Sequence, residues 1–366
     1  MDFHKIPGIT IEEVKNAHIA DLSVQDKYGV TYKQFWVNED AGTVFCLMQG
    51  PDKEHCEAVH REAHGDIACA IVEVEPGLYE QFMGRTEVDN GHMVLNKDGS
   101  PDTAHRHVLV TAIQGVTTAT HSRQYRQLHS PLEARKLVLK LITQFGGRRV
   151  QWQADDNLIG AFDTALNARQ CALSISQWLT EQKREKQDGW NIIFRIGLTE
   201  GQPLTEKNAF FERTVKLACW LSNIAPEDGI SVAKKSVKCI EGETDLVSYP
   251  RLKLVEEADE KFIALLFEIL EGNLANEQFK IEQLTKDLAM SRPQLYRRIL
   301  ALTGRSPINL MRDLRMNKAL ALLRNRHANI SEVALEVGYQ SPSYFAQCFH
   351  RTFGYNPSEF AAVNAG

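Results

Sequence analysis

The sequence predicts a multidomain chain of α+β plus all-α class: a ferredoxin-like βαββαβ sandwich in front, an α/β domain in the middle and an all-helical tail carrying two helix-turn-helix units. Three observations carry this. The 366 residues suffice for two or three cores. Strand and helix periodicities alternate as far as about residue 270, and only helical spacing continues beyond it. The charge is also divided, because residues 273–366 hold 12 Lys and Arg against 7 Asp and Glu, whereas residues 1–272 hold 30 against 40. A basic excess on one compact segment of an acidic chain is what a phosphate-binding module requires.

A strand at 2–5 precedes a helix at 10–25, where Thr10 and Glu13 have capping-box spacing. Strands at 32–38 and 43–49, a helix at 52–64 opened by Pro51 and Asp52, and a strand at 69–74 complete the first domain. Turn-forming residues at 90–102 and at 271–273 mark boundaries, giving domains at 1–85, 105–270 and 273–366, with a linker at 86–104. In the middle, strands are expected at 108–111, 150–153, 158–162, 192–198 and 229–232, with paired runs at 252–255 and 262–268. Helices fall after Pro131 and at 164–181 and 210–224. The tail reads as helices at 281–288, 293–302, 307–323, 330–337, 342–353 and 357–363.

Several function classes drop out. The longest apolar stretch, 262–270, is interrupted by Glu268 and falls short of the roughly 18 to 20 residues of a membrane span. The N-terminus lacks a basic region followed by an apolar core, so no secretory signal is expected. The seven cysteines are scattered and never spaced as CxxC, which argues for a reducing cytoplasm and against a disulfide framework or a four-thiolate zinc site.

Within the tail, 281–300 and 330–349 share one layout: a short amphipathic helix, a tight turn, and a second helix opening at a serine and a proline. In the first unit Ser291 caps, and Arg292, Tyr296 and Arg297 point away from the apolar face of Leu295, Ile299 and Leu302. In the second, Gly338 permits the turn, Ser341 caps, and Ser343, Tyr344 and Gln347 oppose Phe345, Phe349 and Phe353. Such helices can lie in successive major grooves of double-stranded DNA, with the helix at 307–323 as spacer. The competing readings are a plain bundle with solvated basic residues, arginines that meet phosphate only, and a Tyr344 that belongs to the core. The run from Ile330 to Phe360, with Ala334, Gly338-Tyr339, Ser341-x-x-Tyr344-Phe345, Phe349-x-x-x-Phe353-Gly354 and Pro357, resembles the AraC/XylS family of bacterial transcription regulators.

Residues 105–268 resemble a class III nucleotidyl cyclase domain through 108–117, 154–163, 195–201, 215–221 and 229–232. The resemblance implies a dimeric catalytic fold in which two carboxylates hold two metal ions and polar and cationic groups stabilise phosphoryl transfer. Matched to that pattern, the first carboxylate falls on Ala112, the second is kept as Asp156, the asparagine falls on Lys216 and the arginine on Trp220. One carboxylate cannot form the two-metal clamp, and Trp220 cannot neutralise phosphate charge. No enzyme activity is expected, and a nucleotide or small-molecule pocket or a homodimer interface remains open for this domain.

In front, five of the 12 histidines fall within residues 1–64. Cys56, His60 and His64 recur every four residues on one helix face, a suitable bite for a transition metal that His4 or His18 could complete. The alternative is surface or capping histidines. HREAH is not HExxH, so a zinc-protease reading fails. Asp2-x-His4, His18-x-x-Asp21-Leu22-x-x-Gln25, Tyr32-x-x-x-Trp36, Cys46-Leu47, Gly50-Pro51-Asp52 and Val59-His60-Arg61-Glu62-Ala63-His64-Gly65 resemble a small family of ferredoxin-like proteins with nickel-binding members. That resemblance implies nickel or another divalent transition metal at His4, His18, His60 and His64. The resulting expectation is a dimeric, cytoplasmic transcription regulator that senses a metal, or alternatively a nucleotide or small molecule through the middle domain, with a nucleotidyl cyclase enzyme as the rival of another class.

Overall fold

The computed structural model describes residues 1–65, 67–115, 124–152, 157–185, 192–207, 209–238, 249–325 and 329–364. The chain divides into two compact units. One comprises residues 1–107 with 161–163 and 200–216, and the other comprises 108–160, 164–199 and 217–366.

The first unit opens with β1 (Asp2–Lys5), α1 (Ile11–Val24), β2 (Thr31–Asn38), β3 (Thr43–Gln49), α2 (Lys53–Ala63) and β4 (Ala70–Ile71). These strands form an antiparallel sheet in the order β2-β3-β1-β4. The expected capping box is present at α1: the Thr10 hydroxyl accepts from the Glu13 N–H, and the Glu13 carboxylate accepts from the Thr10 N–H at 2.9 Å. Asp52 caps α2 by accepting from the His55 N–H at 2.9 Å. Apolar residues from the hairpin and the helices, among them Phe35, Val37, Val44 and Val59, build the core of this sandwich.

Residues 86–104, expected as a linker, fold. After α3 (Pro76–Met83), strands β5 (Glu87–Val88) and β6 (Val94–Leu95) pair antiparallel. The turn formers there make a hairpin whose Met93 and Val94 are buried, and Met93 forms a bridge with Phe35. Arg106 then anchors the chain where it leaves this hairpin. Its buried guanidinium donates to Asp102 at 2.7 Å and to the Phe82 carbonyl at 3.2 Å. Periodicity alone cannot show such a charge-assisted anchor.

Next come β7 (Arg106–Gly115), α4 (Gln124–Gln144), β8 (Arg148–Val150), β9 (Leu158–Phe162), α5 (Ala165–Glu185), β10 (Ile192–Gly201), α6 (Glu212–Ile224), β11 (Gly229–Ala233), α7 (Lys234–Lys238) and β12 (Leu252–Val255). Six of these strands form a sheet in the order β12-β11-β10-β7-β9-β8, with β10, β11 and β12 parallel. The run at 262–268, expected beside 252–255 as its pair, is instead helical within α8 (Glu257–Gly272). Phe262, Ile263, Leu266, Phe267 and Leu270 recur at three- and four-residue intervals, and all are buried.

The tail consists of α9 (Ile281–Asp287), α10 (Arg292–Thr303), α11 (Pro307–Asn325), α12 (Ile330–Glu336), α13 (Pro342–Phe353) and α14 (Pro357–Asn364). Residues 271–273, expected to separate two domains, are themselves exposed or half-buried and link elements that share one continuous core. Leu221 and Ile224 of α6, Leu266 and Phe267 of α8, and Leu295, Ile299 and Leu310 of the tail belong to the same buried cluster. The remaining tail helices close around a second cluster, including Phe345, Phe349, Phe353 and Phe360. Among the described residues no helix is long and apolar enough to cross a membrane.

Candidate metal centre and nucleic-acid interface

Three elementary periodicities build the front site. Alternation along β1 puts Asp2 and His4 on one face, the helical repeat puts His18 and Asp21 on the buried side of α1, and a four-residue step stacks His60 and His64 on α2. Gly65, at φ +83°, adopts the left-handed conformation that ends α2, and its N–H caps the His60 carbonyl at 2.9 Å.

Asp2, Asp21 and His60 are almost wholly buried. Asp2 accepts from the Cys46 N–H at 2.6 Å, its other oxygen lies 2.7 Å from His60 Nε2, and His4 Nε2 approaches that same oxygen at 3.4 Å. On the opposite edge of His60, Nδ1 lies 3.3 Å from Asp21 Oδ1 and 3.3 Å from His64 Nε2, which is itself 3.3 Å from Asp21 Oδ1. Burial opposes the charged form of Asp2, but the hydrogen bonds of His4 and His60 hold its carboxyl well below the usual carboxylate range. Burial likewise opposes charge on His60, yet Asp2 and Asp21 outweigh it and push its pKa up to about 10.

The donor set fits a transition metal. Two imidazole nitrogens and one carboxylate oxygen form a triangle 3.3 Å on each edge. Its corners lie about 1.9 Å from the centre, within the roughly 2.0 to 2.2 Å reach of metal bonds to nitrogen and oxygen. Asp21 Oδ1 is buried and has no aligned hydrogen bond. His60 Nε2, facing Asp2, occupies the outer position where a carboxylate commonly orients a ligating imidazole.

The structure thus brings His4, His60 and His64 together, but around two aspartates that histidine spacing alone did not single out. The signal was present in the sequence, in Asp2 two residues before His4 and in Asp21 three after His18. His18 stands apart from both groups of potential ligands. Its Nε2 lies 3.2 Å from His92 Nδ1 on the β5–β6 turn, its ring packs on Phe35, and burial lowers its pKa to about 4. Cys56 shares the helix face but belongs to the apolar core.

At the tail, α10 opens at Ser291, whose N–H and hydroxyl donate to the Gln294 side-chain carbonyl at 3.1 and 2.8 Å. Arg292, Tyr296 and Arg297 are exposed, opposite buried Leu295, Ile299 and Leu302. Ser341 caps α13 by accepting from the Tyr344 N–H at 3.2 Å. Ser343, Tyr344 and Gln347 are exposed too, and Tyr344, at 59% exposure, is not a core residue. His350, Arg351 and Asn356, which the sequence pattern does not single out, join Gln347 around a hollow of about 490 Å³. Arg298 is tied elsewhere, to Asp259 at 3.2 Å and over the Phe262 ring.

At the positions matched to cyclase chemistry, Ala112 lies in β7 and carries no carboxylate. Lys216 pairs with Glu212 at 2.6 Å. Trp220 is buried and donates to Glu271 at 2.7 Å. Asp156 lies outside the described residues.

Comparison with known proteins gives two family matches: a helix-turn-helix domain over residues 284–362, and the nickel-responsive SCO4226-like proteins over 1–74. Among relatives, the chain is 35% identical over 106 residues to Histidine kinase P4 of Formosa agariphila, covering 29% of this chain and 8% of that one. It is 32% identical over 84 residues to the HTH-type transcriptional regulator MtrA of Neisseria gonorrhoeae, covering 23% of this chain and 28% of that one. The chain therefore spans less than a third of either relative. Among solved structures, SCO4226 of Streptomyces coelicolor A3(2) shares 39% identity over 20% of this chain and 90% of that one, with a TM-score of 0.19. An adenylate/guanylate cyclase/hydrolase of Silicibacter pomeroyi shares 27% identity over 40% of this chain and 83% of that one, with a TM-score of 0.31. Residues 284–362 of the chain thus match a helix-turn-helix domain, and residues 1–74 match the nickel-responsive SCO4226-like proteins.

Proposed function

We propose that the chain binds double-stranded DNA sequence-specifically and that a divalent transition metal, nickel by family likeness, sets its DNA-binding state. The observation that carries this reading is the Asp21, His60 and His64 triangle, with Asp2 and His4 behind it. In it, Asp21, His60 and His64 would hold the metal, and Asp2 would orient the His60 ring. The metal supplies a positive charge for two buried carboxylates, and its binding energy is added to whichever conformation presents the triangle closed. Arg292, Tyr296 and Arg297 on α10, and Ser343, Tyr344 and Gln347 on α13, are the residues proposed to meet the duplex, supported by their common exposure at two capped helix starts. The front sandwich is read as ferredoxin-like and the middle domain as a cyclase shape without cyclase activity, since Ala112, Lys216 and Trp220 replace the groups that chemistry needs. Assembly as a homodimer belongs to the same proposal.

The test is titration of untagged protein with nickel and zinc by calorimetry, and then gel shift on its own upstream region with and without metal. Wild type should take up metal and change its DNA affinity. His64→Ala should lose at least tenfold in metal affinity and lose the metal response while still binding DNA. Equal metal affinity in His64→Ala and wild type would end the metal reading, and a nucleotide that bound the middle domain and shifted DNA affinity would replace it.

A further inference from the structure

We propose that the seam between the two helix-turn-helix units is a binding site for a small apolar carboxylate. The two units do not share a core. Leu310 and Leu314 in the first half of α11 belong to the cluster that includes α6 and α8, while Met316, Ala319 and Leu320 in its second half belong to the cluster around Phe349. Where these cores part, a cavity of about 280 Å³ opens. Leu284 and Met311 give it apolar walls, and Arg312, Arg315, Tyr339 and Tyr344 supply its polar groups. That volume is near the lower end for ligand sites and suits a molecule of about ten non-hydrogen atoms.

The charge decides the ligand class. Among the described residues no aspartate or glutamate lines the cavity, although two guanidinium groups do. Arg315 makes no ion pair among the described residues. One of its terminal nitrogens donates to the Asn276 carbonyl at 2.7 Å, its Nε has no partner, and its plane lies over the Tyr339 ring. Arg312 approaches Asp313 at only 3.6 Å. A carboxylate would neutralise this excess, and an apolar body would cover the remaining lining, which a hydrated phosphate would not.

Occupancy there would reach the DNA face by a short route. A Cβ on Gly338, which has φ +78°, would lie 2.5 Å from the Leu274 carbonyl oxygen and 3.0 Å from the Arg315 guanidinium. The turn of the second unit therefore rests directly on the 274–276 segment and on Arg315. A ligand drawing on Arg315 alters the contact that sets one unit against the other, and it touches Tyr344, a residue proposed to face the duplex. Only this last consequence rests on the DNA reading.

The full chain, without DNA, is titrated with sodium octanoate, 1-octanol and inorganic phosphate. Octanoate should bind saturably and at least tenfold more tightly than the other two. Its affinity should fall at least tenfold in Arg315→Met and in Ile308→Glu, where Ile308 is a cavity residue 72% exposed and thus safe for the fold. Octanoate should then shift the DNA affinity of wild type but not that of Ile308→Glu. Absence of saturable octanoate binding, equal binding of octanol or phosphate, or unchanged affinity in Ile308→Glu would overturn the site. Because binding is read without DNA, that failure leaves DNA recognition untouched.

Discussion

The probe helices α10 and α13 are both 12 residues long, both carry a proline in their first two positions, and both end on a left-handed glycine, Gly304 or Gly354. Each comes after a seven-residue helix, and each buries one apolar stripe. Their foundations differ. The stripe of α10 joins the core of α6 and α8, and polar ties reinforce the join: Lys253 donates to the Leu302 carbonyl at the end of α10, and Arg305 donates to the Asn223 carbonyl at 3.0 Å. Among the described residues the stripe of α13 packs in a cluster drawn from the tail. Near-identical local signals thus produce one probe built into the middle domain and one that stands on its own small core, because capping and periodicity set a helix's outline and only tertiary packing sets what holds it.

The strongest way to break that contrast is to open each core in turn. Phe267 and Phe349 are both fully buried, and truncating either to alanine should cost about 3 to 5 kcal/mol. Phe267→Ala should raise amide exchange in α8, in α10 and in the parallel strands together. Phe349→Ala should raise it in α12 to α14 while leaving α10 protected. Equal deprotection of α10 by Phe349→Ala would mean that the two cores unfold as one.

DNA affinity sharpens the contrast at a smaller scale. If Gln347 reads a base edge, Gln347→Ala should cost about 1 to 3 kcal/mol and relax preference at one position of the operator. If Arg297 meets phosphate, its replacement by alanine should weaken all duplexes alike and reduce the salt slope by about one. Gel shifts at several salt concentrations, on the operator and on single-base variants, distinguish these outcomes. A uniform loss in both variants would leave base reading without support from Gln347.

Helix starts, the turn at Gly338 and the outward residues of both probes are legible in the sequence because each depends on neighbours within one turn. The same holds for His60 and His64, a single helix step apart. Asp2 and Asp21 escaped notice as a pair since nothing local says that β1 passes behind α2, and His18 was expected with His60 although a turn at residues 89–93 captures it through His92. Part of the helix at 257–272 resembles a strand in sequence because a short apolar run has no decisive period until Leu266 and Leu270 are counted with it. The common core of α6, α8 and α10 lies furthest from sequence reading, because Glu271, Gly272 and Asn273 look like a boundary whether or not two cores meet there.

The smallest contrast lies in the caps. At α13 the Ser341 hydroxyl satisfies the Tyr344 N–H, and the bond runs in that one direction. At α10 the Gln294 side chain also accepts from the Ser291 N–H, a bond that would survive truncation of the serine. Ser341→Ala should therefore approach the typical cost of about 1 kcal/mol, and Ser291→Ala should fall below it. The foundations add to the difference. Fraying of the first turn of α13 disturbs a small core, whereas α10 stays pinned by Lys253 at its other end and by Arg298 over Phe262. Amide exchange at the first turn of each helix measures both effects. Greater fraying at α10 than at α13 would show that neither the reciprocal cap nor the depth of the supporting core governs how firmly each probe is presented.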